Sequence, residues 1–145
     1  MKNNRTFQDA FNLLCGKPLG RGIHRQVYEC TLRPELVVKV EIHEYKHRSF
    51  MNPREMDFWT YWSEHKPVAK WLAPCQLLSP DGRILLQTRC DPLPRAYPLP
   101  EKLPAFLTDH KQDNFGLLNG ELVCLDYALV RYAAHTNLKK AMFHT

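Results

Sequence analysis

The chain reads DHKQDNFGLLNGELVCLD from Asp109 to Asp126, and this stretch carries its strongest local folding signal. Asn119-Gly120 stands between two short apolar runs, a pattern typical of a two-residue type I′ hairpin. Because the turn fixes the strand register, we expect Leu118 to oppose Glu121. The ends of the two strands then bring several polar residues into one region, namely Asp109, Lys111, Asp113, Asn114 and Asp126.

These polar residues form a candidate metal site. Carboxylate and amide oxygens are ligands that Mg²⁺ takes, and Lys111 can neutralise a phosphoryl group during its transfer. Strict register places Asp113, not Asn114, opposite Asp126, so either residue is a candidate second ligand if the loop leaves the ladder early. The alternative interpretation is that these residues are ordinary turn and loop residues, and the local pattern favours neither reading.

A second group of candidate residues lies in the N-terminal half. Gly20 and Gly22 occupy a turn between two predicted strands, where glycines let the backbone approach a phosphate closely, and Val27 follows. Lys39 stands inside the apolar run Leu36–Ile42, and a lysine on the inward side of a strand needs a partner. Glu55 on the following helix is the candidate partner, although a glutamate near a helix start also fits a capping box.

The sequence pattern of the rest of the chain predicts helices and strands joined by turns. An amphipathic helix is expected over Thr6–Cys15 with Thr6 as its N-cap, and Asn52-Pro53 opens a second helix. Residues 91–104 are expected to form an extended connector, because prolines so dense exclude helix and central strand. The remaining expectations are strands over Gln26–Leu32 and Leu36–Ile42, a hairpin over Leu72–Arg89 that turns at Ser79–Gly82, and a terminal amphipathic helix from about Leu129 to Phe143. This order predicts an α+β fold with an antiparallel sheet.

Taken together, these motifs resemble the protein-kinase-like superfamily. Gly20-x-Gly22 with Val27 is similar to the glycine-rich loop, with Arg25 standing where a third glycine would be. Lys39 after Val37-Val38 resembles the strand lysine that binds the α- and β-phosphates, and Glu55 its helix partner. Residues 109–114 match the D-x-K-x-x-N spacing of the catalytic loop, and residues 126–128 stand where the family has D-F-G.

The resemblance implies ATP and Mg²⁺ as cofactors and a role for each matching residue. The implied nucleotide-binding residues are Gly20, Gly22, Val27, Lys39, Gln87 and Cys90, the last two in a hinge over residues 87–93 that contacts adenine. The implied catalytic residues are Lys39, Glu55, Asp109 as base and Lys111, and the implied metal ligands are Asn114 and Asp126.

The implied architecture is a single kinase-like domain with a reduced C-lobe. It has a five-stranded antiparallel N-lobe over residues 1–90, the proline-rich connector over residues 91–104 and a minimal C-lobe over residues 105–145. Leu107-Thr108 replaces the usual His-Arg before the catalytic aspartate, and only nineteen residues follow Asp126. The chain therefore resembles most the small truncated kinase-like proteins of bacteria and phages, and the acceptor, a protein or a small-molecule hydroxyl, stays open.

Composition and net charge indicate which class of protein this is and which partners it can bind. The 145 residues are 44% hydrophobic and 24% charged, an ordinary globular balance. No stretch resembles a membrane span or a signal peptide, so we expect a cytoplasmic protein (in the host cytoplasm if phage-encoded) with free thiols and no membrane partner. The net charge of +5 suits an anionic ligand such as a nucleotide, while the dispersed basic residues disfavour nucleic acid. A reduced C-lobe would leave apolar surface for a second copy or a protein partner.

Two alternatives to a phosphotransferase compete. The first is a pseudokinase-type binding module that grips a partner protein. The clustered carboxylates favour the enzyme, because their mutual repulsion costs stability unless a metal offsets it. The second and more remote alternative is a zinc metalloprotease, since His43-Glu44-x-x-His47 matches the H-E-x-x-H pattern.

Overall fold

The computed structural model describes residues 4–43 and 47–145 and shows an α+β arrangement of three α-helices and ten strands within them. The helices are α1 Asn4–Leu14, α2 Met51–Trp62 and α3 Lys66–Ala69. The strands are β1 Cys15–Arg21, β2 Arg25–Cys30, β3 Leu36–Glu41, β4 Cys75–Leu78, β5 Ile84–Thr88, β6 Asp91–Pro92, β7 Lys102–Pro104, β8 Phe115–Leu118, β9 Glu121–Cys124 and β10 Leu138–Lys140. The chain forms two compact units: one holds the chain up to Met56 with Cys75–Arg89, and the other holds Asp57–Pro74 with Cys90–Thr145.

The first unit is built on a five-stranded antiparallel sheet in the order β1-β2-β3-β5-β4. The central strand β3 is buried along its whole length. Its side chains alternate between the two faces, as in any strand. Val38 and Val40 join the apolar core on one face, whereas Lys39 lies on the other face, where it contacts α2.

Helix α1 covers the apolar face of this sheet. Its residues Phe7, Ala10, Phe11 and Leu14 pack against the core, as their helical spacing predicts. The helix begins at Asn4, before the expected N-cap Thr6, so the predicted start is wrong by two residues. Helix boundaries are set by local hydrogen bonds rather than by the apolar pattern, which explains why the face was predictable and the start was not.

The turn between β4 and β5 lies at Ser79–Gly82, as the sequence predicts. The carboxylate of Asp81 accepts hydrogen bonds from the Ser79 hydroxyl (2.8 Å) and from the Arg83 backbone N–H (3.0 Å). Gly82 has a φ of 74°, and a Cβ added to it would lie 2.8 Å from Cγ of Pro53. Both the backbone conformation and the space therefore require glycine at this position.

The second unit contains the predicted hairpin. Asn119 (φ 52°) and Gly120 (φ 82°) form the two-residue turn between β8 and β9, and Leu118 pairs with Glu121 as expected. Positive φ at both turn positions is the requirement of a type I′ turn, which Asn-Gly meets at low cost.

Both ends of the proline-rich connector are extended, as expected, and in addition they pair with other strands, which the sequence did not indicate. Asp91–Pro92 adds to β8 and makes the hairpin a three-stranded sheet, while Lys102–Pro104 pairs with β10. Proline is tolerated in such edge strands, where its missing N–H is not needed.

The expected terminal helix from Leu129 to Phe143 is wrong. The segment makes backbone hydrogen bonds to the chain before it: the N–H groups of Ala105 and Phe106 donate to the carbonyls of Asn137 (2.8 Å) and His135 (3.0 Å). β10 then pairs with β7. These distant partners satisfy the backbone in an extended form, so tertiary pairing overrides the helical spacing of the apolar residues.

Aromatic side chains form much of the core of the second unit. Tyr127 is buried, and its hydroxyl donates to the carbonyl of Ala73 at 2.7 Å. The ring of Phe58 lies 5.7 Å from that of Tyr127 and 6.3 Å from that of Phe106, centroid to centroid. Phe58 therefore packs in the core, whereas Tyr61 on the same helix is exposed.

The five cysteines are all free thiols, and Cys30, Cys75 and Cys124 are buried. The buried cysteines pack in the interior as small apolar side chains do. Within residues 4–43 and 47–145, no helix is long and apolar enough to cross a membrane.

The two glycines with positive φ at turns offer a matched comparison. Gly120→Ala introduces only backbone strain, because a Cβ there meets nothing within 4 Å. We expect it to lower the free energy of unfolding by about 1–2 kcal/mol. Gly82→Ala adds the contact with the rigid Pro53 ring, so we expect a loss at least about 1 kcal/mol larger. Urea denaturation measures both; equal losses would show that the Pro53 contact relaxes freely.

Candidate functional site

The candidate residues of the first unit lie in one row across the sheet. Gly20 pairs with Val27, Val27 pairs with Lys39, and Lys39 pairs with Leu85. Directly opposed residues in antiparallel strands share a face of the sheet. The register therefore brings Gly20, the valine and the lysine together, although more than ten residues of sequence separate Val27 from Lys39. Gly20 lies within β1 and not in the turn as predicted, whereas Gly22 lies between β1 and β2.

Four of the six glycines have a clear structural reason, and two do not. Gly82 and Gly120 have positive φ, and an added Cβ would crowd backbone atoms at Gly16 (3.3 Å) and Gly116 (2.9 Å). At Gly20 an added Cβ would meet nothing within 4 Å, and at Gly22 it would meet only a carbonyl oxygen at 3.9 Å. Neither of the latter two has positive φ. The fold itself does not require Gly20 and Gly22, and their missing side chains leave open backbone that a ligand can approach.

Lys39 and Glu55 form the ion pair that the sequence predicts. The ammonium Nζ of Lys39 lies 2.5 Å from Oε1 of Glu55, and the two residues are only 4% and 0% exposed. Lys39 is in the middle of β3 and Glu55 is in the second turn of α2. The pair therefore joins the helix to the central strand.

Arg25 is a third member of this cluster, and the sequence did not indicate it. Its guanidinium binds Glu55 with two nearly parallel hydrogen bonds, Nη1 to Oε1 at 3.1 Å and Nη2 to Oε2 at 3.0 Å. Arg25 is itself buried. A bidentate arginine–carboxylate pair is among the strongest side-chain interactions in proteins. Arg25 thus directs its side chain into the interface between the sheet and α2.

Asn52 completes the polar contacts between α2 and the sheet. Its Oδ1 accepts a hydrogen bond from Nη1 of Arg25 at 3.1 Å. Its Nδ2 donates to the backbone carbonyls of Lys39 (3.0 Å) and Arg83 (2.9 Å). A fully buried amide needs such partners, and here they hold α2 against β2, β3 and the residue before β5.

Glu41 anchors the start of α2. Its Oε1 accepts the backbone N–H of Met51 at 2.8 Å, and its Oε2 binds Arg48. A carboxylate at a helix N-terminus satisfies an orphan donor and the helix dipole. The residue that caps the start of α2 is therefore Glu41 of β3. The carboxylate of Glu55, the candidate for a capping box, binds Arg25 and Lys39 instead.

The environment holds Glu55 in its charged form. Burial alone raises the pKa of this carboxyl group, but attraction to Arg25 and then to Lys39, together with their hydrogen bonds, lowers the pKa from 4.5 to about 2. Glu55 is therefore ionised throughout the neutral range.

The two hinge candidates lie in different units. The side chain of Gln87 is buried and donates to Oε1 of Glu55 at 3.4 Å, and it also contacts Sγ of Cys75 at 3.9 Å. Its amide therefore belongs to the buried cluster in the first unit. Cys90 is half-buried in the second unit. Contact of either residue with adenine stays a prediction.

In the second unit, the hairpin places Asn114 opposite Leu125, as its register predicts. The N–H of Leu125 donates to the carbonyl of Asn114 at 2.7 Å, so these two residues are opposite each other. Gln112–Asn114 form a 3₁₀ turn, which means that the chain leaves the ladder just before Phe115. Asn114 is half-buried and Asp126, next to Leu125, is exposed.

The loop that carries Asp109 and Lys111 is exposed and internally bonded. Oδ1 of Asp109 accepts the backbone N–H of Lys111 at 3.2 Å. His110 between them uses both ring nitrogens: Nε2 contacts the carbonyl of Leu107 at 2.7 Å, and Nδ1 accepts the N–H of Met142 at 2.8 Å. These contacts place the ring proton on Nε2, because only a donor can bind a carbonyl. His110 therefore holds the loop in place.

The residues at the end of the chain run along this loop, which the sequence did not indicate. The N–H of Gln112 donates to the carbonyl of His144 at 2.8 Å, and the N–H of His144 donates to the carbonyl of His110 at 3.2 Å. Nε2 of His144 lies 3.8 Å from Oδ1 of Asp109. The segment that was expected to be helical thus lies in extended form beside the candidate base.

The H-E-x-x-H pattern is described only in part. His43 and His47 are exposed, and Glu44 lies outside the described residues. Elsewhere in the described part of the chain, no three His, Cys, Asp or Glu side chains are close enough together to hold a metal ion.

No family model and no curated protein matches the chain. Its possible activity must therefore be argued from its own residues.

The pKa of Glu55 predicts how stability depends on pH. Because the folded pKa of about 2 is below the unfolded value of 4.5, the carboxylate stabilises the fold fully above about pH 5 and progressively less as the pH falls towards 2. We expect about 2 kcal/mol of this contribution to be lost between pH 7 and pH 3. Urea denaturation at the two pH values measures it.

Glu55→Gln and the exposed Glu121→Gln are the matched variants for this measurement. Glu55→Gln should be less stable at pH 7, because two buried cations lose their carboxylate, and its stability should fall less on acidification than that of the wild type. Glu121→Gln should behave as the wild type. If the free energy of unfolding of Glu55→Gln fell as much between pH 7 and pH 3 as that of the wild type, the prediction would be wrong.

Proposed function

We propose that the chain is an ATP- and Mg²⁺-dependent phosphotransferase with a protein-kinase-like fold. The observation that carries this proposal is the buried Lys39–Glu55 pair on the central strand, in one row with Gly20 and Val27. The five-stranded antiparallel sheet is compatible with the nucleotide-binding lobe of such a fold. The superfamily itself is part of the proposal.

Residues of the first unit would bind the nucleotide. The ammonium of Lys39 provides a cation for the α- and β-phosphates. The open backbone at Gly20 and Gly22 supports this role, since the fold does not need glycine at either position. Residues 87–93, with Gln87 and Cys90, would contact adenine.

Residues of the second unit would hold the metal. Asn114 and Asp126 supply amide and carboxylate oxygens, the hard ligands that Mg²⁺ prefers, and Asp113 is the alternative to Asn114. When bound, Mg²⁺ neutralises charge on the phosphate oxygens. The pairing of Asn114 with Leu125 supports this assignment, because it brings Asn114 to the strand end that Asp126 follows.

The loop residues would carry out the transfer. Asp109 orients the acceptor hydroxyl and takes its proton while the hydroxyl oxygen bonds to the γ-phosphorus. The bond between the γ-phosphorus and the bridging oxygen breaks, and ADP leaves. Lys111 offsets the negative charge that builds up on the phosphoryl oxygens. Both side chains are exposed, as contact with an acceptor requires.

The proposal can be tested with γ-labelled ATP and Mg²⁺. We expect the wild-type chain to transfer label to itself or to a component of a cell lysate. Asp126→Asn should lower transfer about 100-fold or more, because a metal ligand loses its charge, and Asp109→Ala should lower it by a similar factor. Label counted after separation from ATP is the measurement.

Glu121→Gln is the control, since it removes an exposed carboxylate from the turn end of the same hairpin. It should transfer label at the wild-type rate. Thermal stabilisation by Mg²⁺·ATP without label transfer would instead favour the binding module. Unchanged transfer in Asp126→Asn would show that the metal assignment is wrong.

A further inference from the structure

Residues 127–145 carry basic residues and no acidic ones. Arg131, Lys139 and Lys140 stand in these nineteen residues without an aspartate or glutamate among them, in a chain whose net charge is +5. All three side chains are exposed. None of them forms an ion pair with another residue that the structure describes. These positive charges therefore do not stabilise the fold by pairing with acids.

One of these lysines faces another positive charge. Lys140 of β10 is directly opposite Lys102 of β7. Lys102 is also exposed, and it too forms no ion pair within the described part of the chain. Like charges directly opposite each other on neighbouring strands destabilise a sheet. The fold does not explain this concentration of positive charge, whereas an anion bound beside it would relieve the repulsion.

The three cations of residues 127–145 border two small clefts that share Thr108. The first cleft, of about 200 Å³, lies among residues 103–110 and is bordered by Lys139 and Lys140. The second, of about 310 Å³, is bordered by Arg131. No aspartate or glutamate of the described residues borders either cleft. Positive potential is therefore concentrated beside Thr108, the residue before the candidate base Asp109.

The lysines, rather than His110, are available to bind an anion in the first cleft. Both ring nitrogens of His110 are engaged, one with the carbonyl of Leu107 and one with the N–H of Met142. The ammonium groups of Lys139 and Lys140 have no such partner among the described residues. A phosphate monoester carries nearly two negative charges and three acceptor oxygens, so it can bind two ammonium groups at once, whereas a carboxylate carries one charge. Two lysines at one cleft therefore favour a phosphate group.

We propose that the two clefts at Thr108 bind the acceptor of the phosphoryl group, and that this acceptor carries a phosphate group held by Lys139 and Lys140. The anion site depends only on the charges and the clefts, whereas its role as the acceptor site rests on the proposed function. Arg131 adds positive charge in the second cleft. An acceptor bound there lies beside the loop that carries Asp109, the group that would take the proton of its hydroxyl.

Inorganic phosphate tests the anion site without nucleotide. At saturation it should raise the melting temperature of the wild type by about 3 °C or more, and chloride or acetate at equal ionic strength should raise it by less than about 1 °C. Lys139→Gln/Lys140→Gln should bind phosphate at least about 10-fold more weakly. The control Lys66→Gln/Lys70→Gln removes the same charge from exposed positions of the same unit and should bind it as the wild type does. Equal stabilisation of the two double variants by phosphate would overturn the site.

The opposition of Lys140 and Lys102 gives a second test, at low salt and without phosphate. Lys140→Gln should melt about 1–2 °C above the wild type, because it removes a like charge from the facing position. The difference should shrink in 0.5 M sodium chloride, which screens exposed charges. Lys66→Gln should melt at the wild-type temperature. A melting temperature of Lys140→Gln at or below that of the wild type would overturn the inference that the two lysines repel each other.

Transfer of label from γ-labelled ATP tests the acceptor role. The small-molecule fraction and the protein fraction of a cell lysate are offered separately, each with and without prior treatment by immobilised alkaline phosphatase that is removed before ATP is added. Phosphatase should abolish transfer to the accepting fraction, because it removes the group by which the acceptor is bound. Which fraction accepts label shows whether the phosphate is on a small molecule or on a protein. Transfer that survives phosphatase treatment would overturn the phosphate as the recognised group.

The same assay separates binding of the acceptor from the chemical step. Lys139→Gln/Lys140→Gln should need at least about 10-fold more of the accepting fraction for half-maximal transfer, with the maximal rate and the KM for ATP unchanged. If no fraction accepts label while phosphate binding still depends on Lys139 and Lys140, the anion site stands and the proposed phosphotransferase function fails. If label is transferred but the double variant binds phosphate and acceptor as the wild type does, the phosphotransferase stands and the acceptor site is wrong.

Discussion

The ionised carboxylate of Glu55 is the group on which the arrangement of the first unit depends. A charge with no exposed surface costs several kcal/mol unless cations and hydrogen bonds compensate it. Because Glu55 is on α2 while Arg25 and Lys39 are on β2 and β3, meeting that requirement fixes the helix on the sheet. The same contact orients a lysine in the middle of a buried strand, a position where lysine is otherwise rare.

The sheet therefore uses its two faces for different purposes. On one face Val38 and Val40 of β3 pack against α1 and stabilise the fold by removing apolar surface from water. On the other face the same strand presents Lys39 and Glu41, each bound to a charged partner. The strict alternation of a strand makes this division possible, since adjacent residues point in opposite directions. Packing stability and polar chemistry are thus separated within one six-residue strand.

The sequence predicted the features that depend on short-range chemistry. Asn119-Gly120 required positive φ, and that determined the hairpin register and the opposition of Asn114 and Leu125. The Lys39–Glu55 pair followed because a buried lysine needs an acceptor. The role of Arg25 could not be predicted, because it depends on which face each residue of β2 occupies, and a shift of one residue reverses that. The extended form of the last residues depends on distant backbone partners, which no local pattern contains.

Residues that the fold does not require are candidates for a role in binding or catalysis. Gly16, Gly82, Gly116 and Gly120 are explained by crowding or backbone conformation, whereas Gly20 and Gly22 are not. The acidic residues divide in the same way: Glu41 and Glu55 are buried and satisfied by cations, while Asp109 and Asp126 are exposed on a loop and at a strand end. The proposed phosphotransferase function assigns its roles to Gly20 and Gly22 and to these two exposed carboxylates. The proposal of a phosphotransferase therefore rests on several residues taken together rather than on any single motif.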